Sequence, residues 1–258
     1  MSLIHDTAIV SSEASLDPTV SVGAYTIIEG NVEIGANSVI GPHCVIKGNT
    51  RIGESNRIYQ FASIGEDPQD KKYAGEQTYL EIGDGNTIRE YCTLNRGTAQ
   101  DECVTRLGDN NWLMAYVHIA HDCCVGNETI FANNVTLAGH VTVDDYVIFG
   151  GFSGAHQFSK VGAYAFVANN AAVSRDVPPY VMAAGQPAAP RGINIEGIKR
   201  RGFDSVQTRS IKDAFRLLYR SGLRLEEARE KIAELAEDKP ELELFERFFS
   251  ESTRSIIR

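Results

Sequence analysis

Residues 28–64 read IEGNVE-IGANSV-IGPHCV-IKGNTR-IGESNR-IYQFAS-I, with an isoleucine opening every group of six. The same phase extends back through Val22, Leu16 and Val10 to Ile4, and Gly35, Gly41 and Gly53 follow their isoleucines directly. Small or β-branched residues such as Thr26, Ser38, Cys44, Thr50 and Ala62 sit two places before the inward position. The phase returns at Ile82, Ile88 and Leu94. After one extra residue it continues through Leu107, Leu113, Ile119, Val125, Phe131, Leu137, Val143, Phe149, Ala155, Val161, Val167 and Val173. A six-residue period matches neither an amphipathic helix nor a simple alternating strand. It marks stacked coils in which each face takes one repeat, a parallel β-helix.

Two segments leave the pattern: 66–81, which keeps the phase, and 96–106, which shifts it by one. Long loops on a rigid scaffold commonly carry function. Pro178-Pro179 ends the repeat, and after the Gly/Pro/Ala stretch 185–192 the period becomes helical. Ile211, Ala214, Phe215 and Leu218 form one stripe, stopped near Gly222. Leu225, Ala228, Ile232 and Leu235 form another. Pro240 opens a third helix carrying Leu244, Phe245, Phe248 and Phe249. We expect two domains, a β-helix over 1–187 and a helical domain over 188–258.

The 43% hydrophobic content argues against disorder. No apolar run approaches the roughly 18 residues that cross a bilayer. Residues 1–6 lack a basic start and an apolar signal core, so a cytoplasmic protein without membrane insertion is expected. Five cysteines without a Cys-x-x-Cys pair fit a reducing compartment better than a disulfide framework or a zinc ribbon. Residues 1–187 hold 10 Lys/Arg against 21 Asp/Glu, a net of −11, and residues 188–224 hold 9 against 3, a net of +6. An acidic body with a basic collar does not suggest nucleic-acid binding; the collar suits an acidic partner or phosphorylated ligand, or is a solvated helix face.

Three repeats make one coil, so residues 18 apart lie above one another. That spacing puts Gly139 over His121 and His140 over Asp122, with His118, His156 and Gln157 close by. Neighbouring coils are about 4.8 Å apart. A lone histidine at such a place is ordinarily a surface residue, but the cluster suits chemistry. A neutral His is a general base, an adjacent carboxylate orients it, and the Gly139 N–H can meet a developing oxyanion. This set fits acyl transfer to a hydroxyl without a Ser or Cys nucleophile, and at least one of Cys123 and Cys124 must serve packing. Metal binding through His118-x-x-His121 is the rival, weakened because i and i+3 do not share a face on a strand.

The stretches Tyr59-Gln60-Phe61-Ala62-Ser63-Ile64-Gly65-Glu66, His118-Ile119-Ala120-His121-Asp122-Cys123, Leu137-Ala138-Gly139-His140-Val141, His156-Gln157-Phe158, Asp176-Val177-Pro178-Pro179-Tyr180 and 194–203 closely resemble the UDP-N-acetylglucosamine 3-O-acyltransferase family. The resemblance spans essentially the whole chain. It implies a left-handed parallel β-helix, a homotrimer with sites between subunits, and the opening step of lipid A biosynthesis. In that step an (R)-3-hydroxyacyl group passes from the phosphopantetheine arm of acyl carrier protein to the 3-hydroxyl of UDP-N-acetylglucosamine, with no resident cofactor or metal. His121 matches the family's general base, Asp122 its partner and Gly139 the oxyanion-stabilising backbone. Asp70, His118, His140 and Gln157 match substrate-positioning residues. Gln69 and Lys72 match loop contacts, and Asn194, Glu196, Arg200 and Arg201 match the nucleotide and phosphate region. Asn169 stands at the acyl-length ruler, which is Gly in long-chain members and Met in short-chain ones. Many relatives carry His where Asn95 stands, and an apolar residue where Lys71 stands. The related N-acylating enzyme carries an additional domain before its repeats; here the repeats begin at residue 4.

Overall fold

The computed structural model describes residues 3–258; Met1 and Ser2, part of the leading segment read for a secretion signal, lie outside the described residues. Short strands, mostly of two residues, alternate with turns and wind into a left-handed triangular solenoid. Among the described residues the walls are three sheets. Sheet I has nine strands from Ile9–Val10 to Ala172–Val173. Sheet II has eight, from Ser15–Leu16 to Lys160–Val161. Sheet III has ten, starting at Ser21–Val22. Each coil visits I, II and III in order and pairs in parallel with the next, as in Ile28↔Ile46, Ile46↔Ile64 and Ile119↔Leu137.

The six-residue period is the inward ladder: Ile28, Ile46, Ile64, Leu94, Ile119 and Leu137 are all buried. The small residues two places earlier lie under the turns. Thr26 Oγ1 donates to Gly41 O at 2.7 Å and accepts from Cys44 N–H, so a hydroxyl ties one coil to the next. The turn position just before each of them is left-handed, at Asn31, Asn37, His43, Asn49 and Ser55 and again from Asn110 to Asn170 in steps of six. That conformation tolerates Asn, Asp and His better than β-branched residues.

Both irregular segments are shorter than their sequence limits. Strand Ser63–Glu66 runs into the first and Tyr79–Ile82 resumes after it, leaving a loop at 67–78. The second loop is 96–103, since Val104–Leu107 already pairs in sheet II. Pairing with a neighbouring coil extends each strand past the point where polarity alone breaks the pattern. Both loops leave from the same edge, where sheet I turns into sheet II.

The antiparallel pair Val181–Ala184 and Ala189–Ile193 closes sheet III. Helices α1 (Ile195–Arg200), α2 (Ser205–Tyr219), α3 (Leu225–Ala236) and α4 (Glu243–Glu251) follow. The short α1 has no apolar stripe long enough to announce it. Asp204 caps α2, and Gly222 adopts φ 73° beyond its end. Pro240 begins a 3₁₀ turn that leads into α4. Ile198, Ile211, Phe245 and Phe248 join the same apolar core as the solenoid. The boundary at 187/188 falls between the strands of the closing pair.

Candidate active site

The edge between sheets I and II carries the histidine cluster. Strand His118–Ile119 ends sheet I's contribution and Cys124–Val125 begins sheet II's. In the turn between them Asp122 has φ 59°, which curls the chain so that consecutive side chains meet. His121 Nδ1 lies 2.8 Å from Asp122 Oδ2. On a strand these two would point to opposite faces. The Asp122 carboxyl is only 1% exposed. It accepts from Thr98 N–H and from Thr98 Oγ1–H, both at 2.7 Å, while its own N–H donates to Thr105 Oγ1 at 2.8 Å. Burial pushes this carboxyl up, but the hydrogen bonds from His121 and Thr98 outweigh it and leave it below the usual carboxylate value. A charged Asp122 therefore takes Nδ1–H from His121 and leaves Nε2 as the free lone pair.

Gly139 lies one coil above. A Cβ there would come within 2.7 Å of His121 Nε2, so the missing side chain leaves that nitrogen open. Among the described residues the Gly139 N–H has no acceptor. His140 stands edge-on to His121, with ring centroids 5.1 Å apart, and stacks on Phe158 at 4.3 Å. Its Nδ1 meets Asp101 Oδ2 at 2.7 Å, and its Nε2 lies 3.7 Å from Asp122 Oδ2. Gln157 stacks above Gly139, and its carbonyl accepts from Arg254 at 2.6 Å. His118 faces outward on sheet I, half-buried, with Nδ1 2.7 Å from Thr93 Oγ1. Burial, and next to it the neighbouring His121, holds its imidazole below the ordinary value. His156 turns away to its neighbour's carbonyl, Gln157 O, at 3.1 Å.

Gln69, Asp70 and Lys72 lie on the 67–78 loop at this same edge but, among the described residues, make no contact with His121. Asp70 instead accepts from Lys72 N–H at 2.9 Å. The loop is anchored by the next coil. Arg96 bonds Gly65 O and pairs with Asp67, and Asn95 Nδ2 donates to Asp67 O at 2.9 Å. The departure at Asn95 thus fastens this loop, whereas Lys71 is exposed. Thr98, Asp101, Thr105, Phe158 and Arg254 were not anticipated. The phase shift marked the 96–103 loop, but the destination of its side chains has no periodicity to betray it.

The other expected residues sit on other edges. Where sheet II turns into sheet III, Asn194, Glu196, Arg200 and Arg201 line a groove of about 310 Å³ with Glu128, Tyr146 and Tyr164. Arg201 pairs with Glu128 at 3.0 Å and lies 4.5 Å over the Tyr146 ring. Asn194 caps α1 by accepting from Gly197 N–H, and donates to Tyr164 O at 3.0 Å. Asn169 is exposed on the third edge, where sheet III turns into sheet I.

His121, Asp122 and His140 offer ligand atoms within 4.8 Å of one another, a metal-compatible spacing. Three hydrogen bonds already meet the Asp122 oxygens, and Asp101 takes His140 Nδ1. Asp122 and His140 are thus already committed to hydrogen bonds within the protein. His118, with its ring held by Thr93, lies outside it. Cys123 is buried, its Sγ donating to Ala138 O, and burial pushes its thiol up to about 12. It is a packing residue, and all five cysteines are free.

A bacterial transferase hexapeptide model matches residues 13–48 and 105–139, and a model for domain 2 of UDP-N-acetylglucosamine O-acyltransferase matches 176–257. The acyl-[acyl-carrier-protein]–UDP-N-acetylglucosamine O-acyltransferase of Herminiimonas arsenicoxydans is 58% identical, with 100% of each chain matched. The crystal structure of UDP-N-acetylglucosamine O-acyltransferase (LpxA) from Moraxella catarrhalis is 47% identical at a TM-score of 0.97, covering 99% of this chain and 100% of that one. The Arabidopsis UDP-N-acetylglucosamine acyltransferase is 34% identical at a TM-score of 0.79, covering 99% and 100%. With full-length identity at this level and a shared solenoid, the chain belongs to the UDP-N-acetylglucosamine O-acyltransferase family.

Proposed function

We propose that this chain transfers an (R)-3-hydroxyacyl group from acyl carrier protein to the 3-hydroxyl of UDP-N-acetylglucosamine, the first step of lipid A biosynthesis. The observation that carries the mechanism is the His121–Asp122 pair under the bare Gly139 backbone. His121 Nε2 takes the proton of the sugar hydroxyl as its oxygen attacks the thioester carbonyl. Asp122 stabilises the imidazolium, and the Gly139 N–H binds the oxyanion. As the C–S bond breaks, His121 returns the proton to the departing thiolate. The proton balance closes on the protein's own residues, so no resident cofactor or metal is required.

The distribution of residues over the three faces supports a trimer. The outer face of sheet II is charged, with Glu33, Arg51, Glu81 and Arg106. Sheet III presents Val39, Trp112, Ile130, Ile148 and Phe166 beside Arg57 and Thr87, and sheet I presents Ile9, Ile27, Gly154 and Ala172 beside Thr93, His118 and Thr136. Along the edge between III and I runs a stacked ladder, Tyr25–His43–Phe61–Tyr91–Tyr116, with exposed rings. Packing sheet III of one copy on sheet I of the next is a heterologous contact that closes as a ring. It buries the ladder at the axis and sets the His121 edge of one copy against the Arg200–Arg201 groove of its neighbour. One chain alone leaves the base and the groove on separate edges.

Among the described residues no helix is long and apolar enough to cross a membrane. With five free thiols, the cytoplasm is the compartment this reading favours.

The test is incubation with UDP-N-acetylglucosamine and a ladder of 3-hydroxyacyl carrier proteins, with and without chelator, read by mass spectrometry. Chelator-resistant O-acylation is expected. Absence of product across the ladder, or loss of activity on chelation, overturns the reading. Light scattering should give three chains per particle; a monomer that retains activity overturns the shared site.

A further inference from the structure

The 96–103 loop brings a carboxylate to the site for which the acyl-transfer scheme above has no use. Asp101 and His140 are 39 residues apart, yet Oδ2 and Nδ1 are separated by 2.7 Å. Four groups surround the His140 ring: Asp101 at Nδ1, Asp122 at 3.7 Å from Nε2, the His121 ring edge-on at 5.1 Å, and the Phe158 ring stacked at 4.3 Å. The two rings fix the imidazole plane. The two carboxylates decide which nitrogen carries hydrogen.

A carboxylate only accepts, so the short contact with Asp101 puts the hydrogen on Nδ1. In the neutral ring Nε2 is then a bare acceptor on the Asp122 side. Nε2 and Asp122 Oδ2 are two acceptors at 3.7 Å, too far apart and of the wrong kind to bond each other. Such a pair calls for a donor from elsewhere, and a sugar bearing hydroxyls and an amide N–H supplies one. Without Asp101 the hydrogen can move to Nε2 and turn toward Asp122. His140 would then present a donor where the sugar also presents one.

The geometry points to Asp101 as a positioning residue that holds His140 in its Nδ1–H form, so that Nε2 accepts a hydrogen bond from the amino-sugar substrate. This rests on the acyl-transfer reading above for the identity of the substrate, and on the structure alone for the tautomer. It also makes the 96–103 loop a strap across the whole site, with Thr98 on Asp122 and Asp101 on His140.

The test uses the full-length protein in three forms: wild type, Asp101→Ala and Asp101→Asn. Ring nitrogen NMR, with His140 assigned by loss of its signals in His140→Gln, reads the tautomer without substrate. Steady-state kinetics read KM for UDP-N-acetylglucosamine against kcat. Wild type should show Nδ1–H. Asp101→Ala should switch to Nε2–H and raise KM about tenfold, with kcat nearly unchanged, the scale of one lost hydrogen bond. Asp101→Asn keeps an acceptor oxygen and should keep both the tautomer and most of the affinity. An Asp101→Ala ring that stays Nδ1–H, or one that switches while KM does not move, overturns the assignment. A wild type inactive on UDP-N-acetylglucosamine sinks the functional reading instead, and the ring spectra still decide whether Asp101 sets the tautomer.

Discussion

His121 and Asp122 are consecutive in the chain, yet their side chains meet at 2.8 Å because Asp122 takes the left-handed turn conformation. The pair is built by the repeat itself, since most coils place such a turn at this edge, as at Asn31, Asn49, Cys103, His140 and Phe158. Thr98, from the coil below, then fixes the carboxylate with both its N–H and its hydroxyl. His121→Ala should lower kcat by about 10² to 10⁴, the scale of a lost general base, with the fold intact. Thr98→Val removes only the hydroxyl bond and should cost about tenfold in kcat, while Thr98→Ser restores it. Comparable rates for Val and Ser at this position would remove Thr98 from the mechanism.

Gly139→Ala isolates the space above the base. The Gly139 backbone is not left-handed, so an Ala is tolerated by the chain itself; its Cβ would collide with the His121 ring. Loss of activity by about 10², the scale of a displaced catalytic group, with an unchanged melting temperature is expected. A melt that drops together with activity would place the effect in folding.

The inward ladder from Ile4 to Val173 was legible because a solenoid repeats one environment, and each repeat writes the same residue into the chain. Gly139 over His121 and His140 over Asp122 followed from counting eighteen. Thr98 and Asp101 did not, because they lie within an irregular loop that breaks the count. Coil spacing becomes 30 residues between Ile64 and Leu94, and 25 between Leu94 and Ile119. The tail contact from Arg254 to Gln157 spans 97 residues and has no local signal at all. The separation of His121, Arg201 and Asn169 onto three edges was equally hidden, since period six says which face a residue shares but not what a second copy covers.

His118 makes a pH signature. Its folded-state imidazole is held below the ordinary 6.5 by burial. Between the folded and unfolded values the unfolded chain binds more protons, so stability rises with pH there. The contribution is complete above about pH 6.5 and is lost as pH falls below it. Urea midpoints should therefore drop between pH 7.5 and pH 5.5 in wild type and drop less in His118→Gln. Equal slopes in the two proteins would show that another group carries the acid sensitivity.

Arg201 is held before any ligand arrives, by Glu128 at 3.0 Å and by the face of Tyr146. A planar guanidinium suits both contacts and a diphosphate at once, whereas an ammonium does not. Arg201→Lys should raise the apparent KM for the nucleotide sugar nearly as much as Arg201→Ala, and Arg200→Ala should raise it too. Raising salt from about 50 to about 500 mM should weaken wild-type binding. Salt-independent kinetics would contradict an electrostatic role for this groove.

The last prediction concerns acyl length. An apolar chain leaving the His121 edge along sheet I crosses the outer positions Thr136, Gly154 and Ala172, which are small, and reaches the edge that bears Asn169. There the Asn169 amide sits tightly over Gly150, where even a Cβ would strike its backbone N at 2.6 Å. Asn is bulkier than Gly and more polar than Met. An unpaired amide against a methyl terminus costs about 1–3 kcal/mol, and one methylene in a tight pocket shifts selectivity by a similar amount. The optimum should therefore fall below that of Gly-bearing, long-chain relatives, and Asn169→Gly should lengthen it. Competition between carrier proteins of graded chain length, with products read by mass, measures both. A wild type that already prefers the longest donors, unchanged by Asn169→Gly, would place the ruler elsewhere.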